Sequence, residues 1–231
     1  MSATAVQGYW QDYWLGWQED LLTYGPGFLS ATLLVLGVTV ASILLSWVCG
    51  LLGALGKRSH LPPFRALANF YVWFIRGTPT LVQVFIVYFG MPQIGVKLSP
   101  VAAGIIALGV SSGAYVAETI RAGLAAIPRG QTESALALGM APRIMMMRIV
   151  LPQVFRMILP SLTNEAISTV KNTSLLSTIT VVELTLYAQL MIATTFRPFD
   201  FYIAAALIYL CLTSVLSQLS AFFERRYARL S

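Results

Sequence analysis

Charge is scarce in this chain, histidine occurs once and cysteine twice, and each shortage closes a class of function. Charged residues fill 10% of the 231 positions, whereas soluble domains carry about a quarter. A solvated globular enzyme is therefore excluded. The one histidine, His60, stands in a basic loop, so a histidine-based metal site, an intramembrane haem and a nucleophilic triad all lack materials. Cys49 and Cys211 lie inside apolar runs, at no zinc or CxxC spacing, and read as free thiols packed among helices. There is no GxxxxGK[ST]. The nearest approach, Gly56-Lys57, is followed by Arg58 and has Leu51 where the first glycine belongs, so no P-loop for ATP is present. The first 24 residues have no basic region ahead of an apolar stretch and no small-residue cleavage site, which argues against a cleaved signal peptide.

What is abundant is apolar sequence, at 57%. A hydrocarbon core needs ~20 apolar residues per helix, and five such spans are expected, at about 28–55, 66–89, 100–119, 152–176 and 201–223. The chain is thus predicted to be an all-α integral membrane protein. The net charge of +6 reflects loop bias and not a nucleic-acid partner. Ahead of the first span, Trp10, Trp14, Trp17 and Leu21 recur at helical spacing, so residues 1–24 are expected to form an amphipathic helix on the outer membrane surface, with Asp12, Glu19 and Asp20 facing water. Gly25-Pro26-Gly27 reads as the turn into span one. Span three is rich in Gly, Ala and Ser, which permits close helix approach.

Lysine and arginine set the orientation. Lys57, Arg58 and Arg65, then Arg121, Arg129, Arg143, Arg148 and Arg156, then Arg225, Arg226 and Arg229 fall on one side, while Lys97 and Arg197 fall on the other. The first group is cytoplasmic by the positive-inside rule. Five spans then put the N-terminus outside and the basic tail, 225–231, inside. Glu118 and Arg121, at the end of span three, are expected to orient the chain into the cytoplasmic loop that follows.

Ionisable groups inside spans are costly and mark a pathway or a paired structural site. Span four carries Thr163-Asn164-Glu165 and Thr169 to Leu175, and Glu165, Thr169 and Asn172 share a helical face, joined less closely by Thr173. Two readings of Glu165 stand side by side: it holds the amino group of a passing substrate, or it pairs with Arg76 or Lys171. Pro79 should kink span two beside Arg76. The tentative substrate pathway is Glu165, Thr169, Lys171, Asn172, Thr173, Ser174 and Arg76.

Between spans three and four lies a cytoplasmic loop, 130–150, that reads as two short helices at an angle, broken at Gly139 and restarted by Pro142. Met145, Met146 and Met147 within it are either apolar filler or a polarizable surface for a moving partner. Glu133-Ser134-Ala135, Gly139, Ile149 and Leu151-Pro152 keep the spacing Glu-Ala-Ala, three residues, Gly, nine residues, Ile, one residue, Leu-Pro, with Ser134 in place of the first Ala. At these positions the chain resembles the membrane-spanning permease subunits of ABC importers. Lys171-Asn172-Thr173-Ser174-Leu175 and Arg76-Gly77-Thr78-Pro79 are similar to segments of the subfamily that carries polar amino acids, the His/Gln/Arg-type permeases.

The resemblance implies a type I ABC importer fold and a coupling helix, formed by Glu133, Ser134, Ala135, Gly139, Ile149, Leu151 and Pro152, that docks into a separate ATPase. It implies a second permease subunit, identical or homologous, two ATP-binding subunits that hold ATP-Mg, and an extracytoplasmic substrate-binding protein. The chain itself would carry no cofactor and catalyse no reaction, and it would sit multi-pass in a bacterial cytoplasmic membrane. Substrate would be a polar or cationic amino acid. An ion-driven secondary transporter is the alternative, but it calls for inverted repeats that five spans do not provide.

Overall fold

The computed structural model describes residues 3–228, with side chains for 19–222, 224 and 225. Among the described residues all regular structure is helical. Helix α1, Ala3–Lys57, is apolar from Glu19 to Lys57, 39 residues. At ~1.5 Å per residue that exceeds the ~30 Å hydrocarbon core, so the helix must incline. The expected surface helix of residues 1–24 is not set off by a turn: α1 passes unbroken through Gly25-Pro26-Gly27. Pro26 removes one intrahelical hydrogen bond, whereas a turn in an apolar setting would strand several backbone groups. Gly27 serves packing instead, since a Cβ there would fall 2.0 Å from the Tyr187 hydroxyl. The side chains of Asp12, Trp10, Trp14 and Trp17 lie outside the described residues, and Asp20, read above as water-facing, is ion-paired with Arg197.

Span two is not one helix. Helix α2, Pro62–Gly77, stops before Pro79, and α3, Thr80–Phe85, continues through a π-turn at Ile86–Gly90 and a 3-10 turn at Met91–Ile94, the two halves bent by 114°. The cause is Pro79, which disfavours helical backbone at Thr78. Gln83 Nε2 repairs the break, donating to the carbonyls of Ile75 (2.8 Å) and Thr78 (3.0 Å) and to Thr78 Oγ1 (3.0 Å).

Helix α4, Pro100–Ala125, is capped by Ser99 and runs past the expected end at 119. It lies along α1 through small residues. A Cβ on Gly50 would meet Val116 at 2.4 Å, and one on Gly109 would meet Leu45 at 2.7 Å. Near the C-terminal ends of both helices Glu118 pairs with both Lys57 and Arg121, so the carboxylate ties α4 to α1 as well as to the outgoing chain.

The loop between spans three and four holds α5, Arg129–Ala137, and α6, Pro142–Met145. The loop, expected to end at 150 ahead of a span starting at about 152, is not separated from that span. A π-turn at Met146–Val150 leads straight into α7, Leu151–Asn172, with the Leu151 N–H donating to the Met146 carbonyl. Pro152 falls within the first turn of α7, where its missing N–H costs little. A 3-10 turn, Thr173–Ile179, ends that helix. The stretch read as periplasmic contains α8, Leu184–Thr195, and α9, Pro198–Ala228, completes the bundle. The core has several centres, the largest around Val84, Ala103, Leu108, Leu176 and Ile179, where α3, α4 and the end of α7 converge.

Candidate functional site: an intramembrane cavity and a cytoplasmic docking face

A polar cavity of about 320 Å³ opens between α3, α4 and α7. It is lined by Thr80 from α3, by Leu108, Ser111, Ser112 and Tyr115 from α4, and by Glu165, Ser168, Thr169, Lys171 and Asn172 from α7. Glu165 sits 14 residues into α7, roughly 21 Å from its start, and is half-buried. Its Oε1 accepts a hydrogen bond from Ser112 Oγ at 2.8 Å, and Thr169 Oγ1 approaches Ser112 at 3.4 Å while donating to the Glu165 carbonyl at 2.9 Å. Among the described residues Glu165 forms no ion pair with Arg76 or Lys171. The cavity is therefore lined by the Glu165 carboxylate, by the exposed residue Lys171 and by several hydroxyls.

The seven tentative pathway residues divide. Glu165, Thr169, Lys171 and Asn172 meet at this cavity. Thr173 does not: it is 1% exposed, bonds to the Val170 carbonyl, and faces Tyr209 Oη at 3.3 Å. The helix tightens to 3-10 geometry at that residue, which rotates it off the cavity face. Ser174 lines a separate hollow with Lys171, Thr185, Tyr202 and Tyr209. Arg76 lines another cavity, of about 510 Å³, with Lys57, Asn69, Trp73 and Glu118, its guanidinium 5.5 Å from the centre of the Tyr115 ring. Tyr115 thus borders both cavities.

Sequence reasoning missed the α4 wall. Ser111 and Ser112 are adjacent hydroxyls in a span whose small residues read as packing, yet both are buried and turned to the cavity. The pairing of two hydroxyls in that span was the available signal. It also missed Glu183, 1% exposed. This carboxylate caps α8 by accepting from the N–H groups of Thr185 and Leu186, both at 2.9 Å, and accepts from Tyr209 Oη at 2.7 Å. Burial pushes the Glu183 carboxyl above its ordinary range, against the pull of those donors.

In the loop between spans three and four, α5 closes with a left-handed residue, Gly139 at φ +74°. Met140 N–H donates to the Ala135 carbonyl and Gly139 N–H to that of Leu136, the two bonds of a Schellman ending. Ala135 is buried against the bundle, while Glu133 and Ser134 are exposed, so the serine that departs from the family spacing meets solvent and not the packed face. Leu136, Leu138, Ile144 and Met147 are exposed, Leu138 at 83%. Met145 is buried and Met146 half-buried, so the three methionines divide between filler and surface. Ile149 is half-buried, and Leu151 and Pro152 are exposed one turn away. An apolar patch of this kind at a membrane face is the mark of a protein contact.

Similar proteins share both the sequence and the shape. The chain is 39% identical over 196 residues to the L-cystine transport system permease protein TcyB of Bacillus subtilis, covering 83% of this chain and 82% of that one. It is 36% identical over 202 residues to the arginine transport system permease protein ArtQ of the same organism, covering 87% and 92%. A crystal structure of an amino acid ABC transporter superposes with a TM-score of 0.85 at 39% identity, over 90% of this chain and 97% of that one. The MetNI methionine ABC transporter shares the fold, with a TM-score of 0.69 at 15% identity. Residues 42–229 match the model of the binding-protein-dependent transport system inner membrane component, and the chain belongs to that family of ABC importer permeases.

Proposed function

We propose that this chain is the membrane-spanning permease subunit of an ATP-driven amino acid importer, and that the cavity at Glu165 is where substrate passes. The observation that carries the reading is a carboxylate and an ammonium, Glu165 and Lys171, on one polar cavity within a membrane bundle. Isolated charges there are costly, and an amino acid zwitterion satisfies both: its ammonium bonds to Glu165 and its carboxylate to Lys171, by charge-assisted hydrogen bonds. A polar or cationic side chain suits the surrounding hydroxyls. The relatives named for L-cystine and arginine agree with that class.

The coupling surface is α5 with Gly139, joined through Ile149, Leu151 and Pro152 to α7. It docks on a separate ATPase, which holds ATP-Mg, while this chain carries no cofactor. A second permease, two ATPases and an extracytoplasmic binding protein complete the assembly, with the α1 N-terminus outside and the α9 C-terminus inside. Closure of the ATPases draws the coupling surfaces together, and because α6 runs into α7 without a break, that motion is transmitted along the helix that carries Glu165. Alternating access follows from two arrangements of the bundle whose equilibrium both sites bias.

The test is uptake of a labelled amino acid into proteoliposomes that contain the assembled importer. Glu165→Gln keeps an acceptor for Ser112 but removes the charge. Uptake should fall about tenfold or more, the scale of one hydrogen bond to a charged group, while the assembly stays intact. Unchanged uptake would sink the assignment of Glu165.

A further inference from the structure

We infer that the groove between the outer ends of α1 and α9 is a binding site for a phospholipid with a primary ammonium headgroup, such as phosphatidylethanolamine. The groove, about 450 Å³, has an aromatic floor of Tyr24, Phe28 and Phe201. Those three rings pack on one another, Tyr24 edge-on to Phe201 at 5.0 Å and Phe28 stacked on Phe201 at 6.3 Å. Its walls are Leu21 and Leu29 of α1 and Ala204 and Leu207 of α9.

At the mouth stands a cluster unlike the rest of the groove. Arg197 donates to both oxygens of Asp20, at 3.1 and 2.7 Å, and to Asp200 Oδ2 at 2.6 Å. The three side chains are 42%, 27% and 35% exposed, in that order.

Position within the bilayer follows from α9. Its apolar stretch is bounded by Asp200 at one end and Glu224 at the other, a step of 24 residues or roughly 36 Å of helix, which an inclined span fits to a ~30 Å core. The Asp20/Arg197/Asp200 cluster therefore lies at one headgroup level. From Asp200 down to Ile208 the groove extends eight residues, about 12 Å, against ~15 Å for half of the core. That depth belongs to a single leaflet, and an acyl chain fits it, whereas a spanning helix of another protein would continue past it.

Charge selects the headgroup. One guanidinium between two carboxylates leaves a net negative charge, which disfavours an anionic lipid. Asp200 binds Arg197 through Oδ2 alone, which leaves Oδ1 as an acceptor for an ammonium N–H, and a choline headgroup has no N–H to give. Arg197 has five N–H donors and uses three, so a lipid phosphate can take the remainder. The occupant thus carries an ammonium and a phosphate side by side on an acyl chain.

Native mass spectrometry of the intact permease released from nanodiscs tests this, with phosphatidylethanolamine, phosphatidylcholine and phosphatidylglycerol of the same acyl chains. Wild type should retain the ethanolamine lipid about tenfold over the other two, the effect of one charge-assisted hydrogen bond. Asp200→Asn should abolish the preference and leave tail binding, and Ala204→Phe, which fills the groove, should lose the adduct altogether. A photoactivatable ethanolamine lipid on unaltered protein provides a check that needs no variant: label should fall on 21–32 and 204–208. Equal retention of all three lipids, or label spread evenly around the bundle, would overturn the assignment, as would cross-links joining two permease copies through this groove.

Discussion

Replacing Gly113 by alanine puts a methyl group where α1, α2 and α4 meet. Its Cβ would fall 2.6 Å from Cys49 Cβ, 2.7 Å from Tyr71 Oη and 3.3 Å from the Ser46 carbonyl. The first contact is with the base of a side chain and the third with backbone, so neither neighbour can simply swing away. Relief would have to come from Tyr71, whose hydroxyl donates to the Val110 carbonyl at 2.7 Å. Overpacking of this kind costs about 1–3 kcal/mol, and loss of the Tyr71 bond about 1 kcal/mol more. Alanine returns up to about 1 kcal/mol as the better helix former. The net expectation is a loss of about 1–3 kcal/mol. Gly37, on the same α1, is the matched comparison, because a Cβ there meets nothing within 4 Å. Gly37→Ala should leave stability unchanged or raise it slightly. Thermal unfolding in detergent, followed by tryptophan fluorescence, reads both variants. Equal melting temperatures for Gly113→Ala and wild type, or an equal fall in both variants, would refute the packing argument, and with it the alignment that sets Ser112 opposite Glu165.

Other perturbations probe the remaining joints. Glu183→Leu strips the acceptor from Thr185, Leu186 and Tyr209 in a buried site. It should cost about 3 kcal/mol or more, and Glu183→Gln less, both by thermal unfolding; a leucine variant as stable as wild type would contradict the capping role. Gln83→Leu removes the three bonds that hold the break between α2 and α3. Distances between spin labels on the two helices should broaden, and an unchanged distribution would show that Pro79 alone sets the bend.

Much of this architecture was legible in advance because membrane burial leaves few choices. Charge-free runs long enough to span, and the lysine and arginine bias between loops, marked the segments. The spacing from Glu133 to Pro152 pointed to the family that the relatives share. What could not be read was the meaning of particular glycines and prolines. Gly25-Pro26-Gly27 has turn composition, yet Gly27 answers to the Tyr187 ring, a contact 160 residues away in sequence. Pro152, at the expected start of span four, follows a π-turn in a helix that continues from the loop, whereas Pro79 breaks its span.

The polar site was half legible for a related reason. Helical spacing grouped Glu165, Thr169 and Asn172, since all three lie on one helix. The opposing hydroxyls of Ser111 and Ser112 come from another helix, and their facing partner is a tertiary fact. Thr173 joined that face only loosely and Ser174 came in with the polar run Lys171 to Leu175, and both lie where the helix tightens to 3-10 geometry. Glu183 stands between apolar segments and was missed, because nothing local announces a tyrosine 26 residues downstream.

The decisive experiment is ATP hydrolysis by the reconstituted importer, with and without substrate-loaded binding protein, for wild type and for Leu138→Asp. Leu138 is 83% exposed at the end of α5, so the permease itself should fold and melt as before. Stimulation in wild type, lost in the variant at an unchanged melting temperature, is the expected result. Stimulation that survives a charge in the middle of that apolar patch, or none in wild type, would mean that this loop does not couple the permease to its ATPase.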